Sequence, residues 1–224
     1  MELKQSDHDR LSGFLEGIKA KTDTFLGYPV SKDFDYRELF DFLKYPLNNL
    51  GDPFTPSTWK VDTREFEREV ITFMAQLFRA KEDDYWGYVT NGGSEGNLYG
   101  LYLARELYPK GIVYYSQDTH YSVSKNLHLL NLRHIMIRSQ PNGEIDYEDL
   151  HETVKINRDK PAIIFANIGT TMTEAKDDLL KINAILNQLV ISDRYIHSDA
   201  ALCGGLAPFI TPRAAFDFKD GCDS

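Results

Sequence analysis

A chain of 224 residues that is 42% hydrophobic can bury one sizeable core, which allows a single large domain or a domain with a small appendage. The formal net charge of −9, with no Lys/Arg-rich stripe, argues against a nucleic-acid surface, and no run approaches the length of apolar sequence a membrane span needs. The N-terminus is polar rather than signal-like, and Cys203 and Cys222 are too few and too late for a disulfide framework or a zinc site, so a reducing cytoplasm, no membrane and no metal are expected.

In chain order, residues 11–25 read as a helix. Residues 27–59, with Pro29, Pro46, Pro53 and Pro56 and aromatic residues of no clean period, read as an irregular arm. A structureless stretch of that length is uncommon in a compact domain, so the arm is expected to be functional or intersubunit. Residues 62–79 carry Phe66, Val70, Phe73, Met74 and Leu77 at helical spacing, with Glu65, Glu67, Arg68 and Glu69 between them, which predicts an amphipathic helix. Residues 85–90 read as a strand, Asn91-Gly92-Gly93 as a turn and residues 94–108 as a helix. The pattern recurs with a strand at 111–116 and a helix after His120, a strand at 135–138 before the Asn142-Gly143 turn, and a strand at 161–168. A helix at 177–189 and a buried strand at 195–199 follow. Such alternation predicts an α/β fold with a doubly wound, mostly parallel sheet. The expected division is an N-terminal helix and arm, 1–58, followed by a large domain, 59–224.

Four polar groups fall just beyond expected strands. In Thr90-Asn91-Gly92-Gly93-Ser94-Glu95-Gly96-Asn97, the glycines permit close approach of the backbone, Ser94 can cap the helix, and the free N–H groups of its first turn favour an anion. A plain capped turn reads the same residues equally well, and neither the P-loop nor the dinucleotide fingerprint is matched. In Tyr195-Ile196-His197-Ser198-Asp199-Ala200-Ala201, an apolar strand ends in a carboxylate followed by small residues. Asp199 is then either a helix cap or a partner for a cationic heterocycle nitrogen, with room for a flat ring beside the alanines. His120, in Ser116-Gln117-Asp118-Thr119-His120-Tyr121-Ser122, and the hydroxyls of Asn167-Ile168-Gly169-Thr170-Thr171 complete the set. Singly each is weak; four polar strand ends on one edge of one sheet describe a pocket.

With these residues in view, the chain resembles the group II pyridoxal-phosphate-dependent decarboxylases, most closely the bacterial histidine decarboxylases and plant serine decarboxylases. The specific segments are residues 85–97, Asp118-Thr119-His120-Tyr121-Ser122-Val123, Gln140-Pro141-Asn142-Gly143-Glu144-Ile145-Asp146, and Ala166-Asn167-Ile168-Gly169-Thr170-Thr171. The resemblance implies the large domain of a fold-type I enzyme, with its C-terminal part missing, and pyridoxal 5'-phosphate as cofactor. Gly93 and Ser94 would hold the phosphate, His120 would cover one ring face and touch substrate, and Ala201 would pack on the other. Asp199 would pair with the ring nitrogen, and Thr170 and Thr171 would position the phenolic oxygen or its neighbours. The implied reaction is decarboxylation of an L-amino acid, histidine to histamine before serine, by a cytoplasmic homodimer or larger homo-oligomer. Two departures stand out. Glu174 occupies a place where the family usually has glycine, and the family's Ser/Gly-His-Lys stretch, whose lysine holds the cofactor covalently, is expected beyond Ser224. The chain alone is therefore expected to be inactive, either as part of a decarboxylase or as a non-catalytic remnant.

Overall fold

The computed structural model describes residues 3–26 and 35–224; residues 27–34 of the expected arm lie outside the described residues. The chain forms two compact units, Met1–Tyr45 and Pro46–Ser224. The first contains helix α1, Gln5–Thr22, and two single turns at Arg37–Leu39 and Phe42–Lys44. Helix α1 begins earlier than residue 11 because its polar first turn, where the Lys4 N–H donates to Asp7, has no apolar period to betray it. It buries none of its side chains.

In the second unit, helices α2 (Arg64–Leu77), α3 (Gly93–Leu107), α4 (Ser122–Leu129), α5 (Tyr147–Ile156) and α6 (Leu179–Gln188) alternate with strands. These are β1 (Ile112–Ser116), β2 (Arg133–Ile137), β3 (Ala162–Asn167) and β4 (Arg194–Asp199). All pairs are parallel, in the order β2-β1-β3-β4. Residues 46–58 belong to this unit and are tied to α2: Asn49 accepts from the Thr63 N–H and donates to Glu67, and Arg68 donates to the Pro53 carbonyl.

Alternate residues of the strands feed two cores. Val113, Ile163, Phe165 and Tyr195 pack with Leu101 and Ala104 of α3 and Val123 and Leu127 of α4. Tyr114, Ile164 and Ile196 face the other way, onto Leu150 and Val154 of α5 and Leu179, Ile182 and Leu186 of α6. The sheet is thus doubly wound, as expected, and each fully buried Leu or Ile contributes about 1.5–3 kcal/mol. Helix α5, which the apolar spacing does not predict, starts where the Asp146 carboxylate accepts the Glu148 and Asp149 N–H groups; Asp178 caps α6 in the same way.

The strand expected at 85–90 is not formed. The Val89 N–H, a group a ladder would use, donates to the Glu67 carboxylate, and the Trp86 indole is held by Asp52. Two helices end in matching left-handed turns. After α4, Asn131 (φ 52°) precedes a Leu132 N–H bond to Leu127; after α6, Val190 (φ 57°) precedes an Ile191 N–H bond to Leu186. Glu174, noted above as standing where glycine is expected, also has φ 54°.

Candidate active site

Strand order reverses between β1 and β3, and ligands of open α/β sheets sit outside the carboxyl ends of strands at such a switch. Here those ends are laced together. The Asn167 amide donates to Ser116 Oγ (3.0 Å) and Thr119 Oγ1 (3.1 Å), and the buried Asp177 carboxylate accepts from the N–H groups of Ile145 and Asn167 and from the Asn167 amide. Burial nevertheless outweighs these donors and pushes Asp177 up to about 6.

Helix α3 meets this edge through its first turn. Gly92, with φ 125°, is the residue preceding the helix, and no side chain caps it, so Ser94 lies inside the first turn instead of capping it as expected. The Glu95 and Gly96 N–H groups reach the Gly92 carbonyl, and those of Gly93 and Ser94, at the first two helical positions, are ones a helix leaves without internal partners. Glu95 fastens the turn from behind: its carboxylate accepts from the Asn91 backbone and amide and from the Tyr88 hydroxyl, and the Asn91 N–H foremost holds it below the usual range. A Cβ on Gly93 would lie 2.6 Å from Ala201 Cβ, so only glycine lets α3 close on the loop after β4.

His120 follows β1. Its Nδ1 lies 2.8 Å from Ser122 Oγ and accepts the Ser122 N–H at 3.3 Å, which leaves Nε2 to carry the proton of the neutral ring. The Tyr121 ring lies against it, tilted by 44° with centroids 4.3 Å apart. Past β3, Thr170 is buried and its hydroxyl is spent within its own loop, on Thr173 Oγ1 and the Ala175 N–H. At the end of β4, Asp199 caps no helix; Oδ1 accepts the Ala201 N–H (3.2 Å) and Oδ2 the Asn97 amide (2.8 Å).

These segments enclose a cavity of about 220 Å³ lined by Gly93, Ser94, Asn97, His120, Gly169, Thr171, Asp199, Ala201 and Leu202. Of the residues singled out in the sequence, only Thr170 is not on the wall. Asn97 was missed, although its spacing from Gly93 and Gly100 puts all three on one helical face. Among the described residues no lysine is on the wall: Lys125 lies over the Tyr121 ring and Lys176 bonds the Glu174 carbonyl. A wider hollow of about 600 Å³ along α1 draws on one segment, residues 3–14, and gathers no comparable set of polar groups.

Residues 102–221, more than half the chain, match the profile of the pyridoxal-dependent decarboxylase conserved domain. The chain belongs to this decarboxylase family. Among relatives, it is 55% identical to a histidine decarboxylase of Mesorhizobium japonicum over 99% of this chain and 60% of that protein. It is 46% identical to a histidine decarboxylase of Acinetobacter baumannii over 100% of this chain and 59% of the relative. The chain thus spans about 60% of the length of these curated relatives. Among solved structures, the L-methionine decarboxylase of Streptomyces sp.590 superposes with a TM-score of 0.84 at 24% identity, covering 92% of this chain and 56% of that one. A sphingosine-1-phosphate lyase of Burkholderia pseudomallei shares the fold more distantly, with a TM-score of 0.60 at 18% identity over 70% of this chain and 39% of that one.

Pyridoxal phosphate, the cofactor of this decarboxylase family, is a flat ring with an anionic arm and a basic ring nitrogen, and the cavity fits it. Its lining brings together the uncapped first turn of α3, a doubly anchored carboxylate, an imidazole and an alanine methyl.

Proposed function

We propose that this chain supplies the cofactor-binding part of a pyridoxal-phosphate-dependent histidine decarboxylase, which converts L-histidine to histamine and carbon dioxide. The observation that carries the reading is one cavity lined by the first turn of α3, the anchored Asp199 carboxylate and His120. In this reading Gly93 and Ser94 bind the phosphate, Asp199 holds a proton on the ring nitrogen, and His120 and Ala201 flank the ring. Thr171 faces the phenolic oxygen, and Thr170 acts from behind by shaping the loop. When bound, the cofactor supplies an electron sink for the pair released as the carboxylate leaves. His120, with its Nε2–H free of the Ser122 contact, orients the substrate carboxylate and handles the proton that replaces it.

Relatives named histidine decarboxylases at 46–55% identity support histidine as substrate. The segment 48–54 resembles plant serine decarboxylases, so serine is the competitor the test must include. Cytoplasmic location, assembly as a homodimer or larger homo-oligomer, and a functional boundary near residue 58 belong to the same proposal. Phe66, Val70 and Phe73, one exposed apolar stripe of α2, support the assembly.

The test replaces the matching 60% of the Mesorhizobium japonicum enzyme with this chain. Carbon dioxide release is then measured with L-histidine, L-serine and L-methionine. Turnover that favours histidine is expected; preference for serine, or a folded chimera that binds cofactor yet turns over no amino acid, overturns the reading.

A further inference from the structure

Asp199 accounts for one polar residue at the end of β4. His197, two residues earlier and only 6% exposed, is not on the cavity wall, yet it sits in an otherwise apolar core with its ring 5.1 Å from that of Phe165. Its hydrogen bonds run toward the site. His197 Nδ1 lies 2.7 Å from Ser224 Oγ, and Nε2 lies 3.0 Å from Asn97 Oδ1, while Asn97 Nδ2 donates to Asp199 Oδ2 at 2.8 Å.

With a neutral imidazole, only one arrangement of protons satisfies this chain. A carboxylate accepts, so the Asn97 amide must turn its NH₂ to Asp199 and its carbonyl to His197. A carbonyl accepts, so His197 Nε2 carries hydrogen, and Nδ1 is left to take the hydroxyl proton of Ser224. Burial favours the same neutral ring: it drives His197 well below its ordinary value, against the weaker opposing pull of the Asp199 charge. The fold makes room for the ring by leaving out a side chain, because a Cβ on Gly100 of α3 would lie 2.4 Å from His197 Nδ1.

We infer that Asn97 and His197 are positioning residues that lock the Asp199 carboxylate in place for a cationic heterocycle nitrogen, as a clamp that supplies donors but no charge. The inference rests on the cofactor reading above and deepens it. A charged group in the place of His197 would fix the carboxylate equally well but would spend its charge there. Neutral donors hold the carboxylate still and leave its full negative charge for the ring nitrogen, in a buried setting where that charge acts strongly.

Two measurements test the clamp. In the unaltered chain, nitrogen-15 NMR of the imidazoles should show His197 near neutral pH as the Nε2–H tautomer; an Nδ1–H tautomer or an imidazolium overturns the clamp whatever binds. The second measurement is a titration with pyridoxine 5'-phosphate carrying nitrogen-15 in its ring, which has no aldehyde and reports the site without covalent attachment. The unaltered chain should bind it with a protonated ring nitrogen. His197→Phe and Asn97→Leu should weaken binding about ten-fold or more and move the ring signal toward neutral pyridine. His197→Gln, which keeps a donor toward Asn97, should recover both. If the first two variants match the unaltered chain in affinity and ring signal, the clamp is overturned while the cofactor site stands. If the unaltered chain does not bind, the cofactor reading falls and the clamp with it. Should the variants fail to fold, the tautomer still decides.

Discussion

Asn97 and Asp199, 102 residues apart in sequence, are joined by a 2.8 Å hydrogen bond from the amide to the carboxylate, and this bond ties the first turns of α3 to the end of β4. Together with the Ala201 N–H it leaves neither carboxylate oxygen free to turn. Replacing Asp199 by Ala in the chimera with the Mesorhizobium japonicum enzyme should lower carbon dioxide release by about 100-fold or more, because a ring nitrogen that loses its counter-charge loses its proton. Circular dichroism should show the fold retained. Turnover within a few-fold of the parent chimera would remove Asp199 from its role.

For His120 the effects should separate. His120→Phe keeps an aromatic face, so affinity for pyridoxine 5'-phosphate should change little, whereas kcat of the chimera should fall about 100-fold with the loss of proton handling. Steady-state kinetics beside a binding titration distinguish the two. An unchanged kcat would leave His120 as packing.

The positions of the lysines predict a labelling outcome. Lys125 lies over the Tyr121 ring and Lys176 is bonded to the Glu174 carbonyl, and neither is on the cavity wall. Borohydride reduction of this chain with pyridoxal phosphate, followed by peptide mapping, should therefore spread weak label over surface lysines. Stoichiometric labelling of one lysine would show that a side chain reaches the cavity by a route the fold does not suggest.

Asp177 gives a prediction in pH. Its carboxyl sits at about 6 in the folded chain against an ordinary 3.8, because burial outweighs the N–H groups it accepts. The folded state therefore binds the extra proton between these values. The sign follows: the stabilising contribution is complete below about pH 4 and is lost as pH rises through about 6, and the interval corresponds to about 3 kcal/mol. Asp177→Asn removes this dependence. In urea unfolding, the gap in stability between the variant and the unaltered chain should be wider at pH 4 than at pH 7; a gap independent of pH would contradict the shift.

Val190 offers a stability gain. A β-branched residue in a left-handed turn is strained, and its side chain is 86% exposed, so little packing offsets the strain. Val190→Gly should stabilise the chain by about 1 kcal/mol in urea unfolding. Asn131, which closes α4 in the same conformation with a residue that tolerates it, should gain far less from the same change.

Much of this site was legible in the sequence because the information was local. Gly93, Ser94, His120, Thr171, Asp199 and Ala201 each lie just past a strand or in a glycine turn, and position at a strand end is enough to send them to one edge. The clamp was not legible. His197 reads as one more residue of a buried strand, and only the packing of α3 against β4 brings Asn97 to it. The stretch 85–90 misled for the opposite reason: its aromatic and β-branched residues suit a strand, but a ladder needs a neighbour, and here the Glu67 carboxylate takes the Val89 N–H instead. Helix α5 escaped because its ten residues bury only Leu150 and Val154, too short a stripe to show a period.

The cavity wall is gathered from four stretches of chain, near residues 93–97, 120, 169–171 and 199–202, and no short piece of the polypeptide holds a usable part of it. This separation sets an order of events in folding. Strand β4, which pairs only with β3 among the described strands, brings both Asp199 and the alanine wall. The Asn97–Asp199 bond spans 102 residues, and closing a loop of that length costs chain entropy before any contact is gained, so it forms late. Competence to bind the flat ring should then arise in the slowest refolding phase, together with the docking of this edge strand, and a stopped-flow signal from bound pyridoxine 5'-phosphate would time the last step of folding.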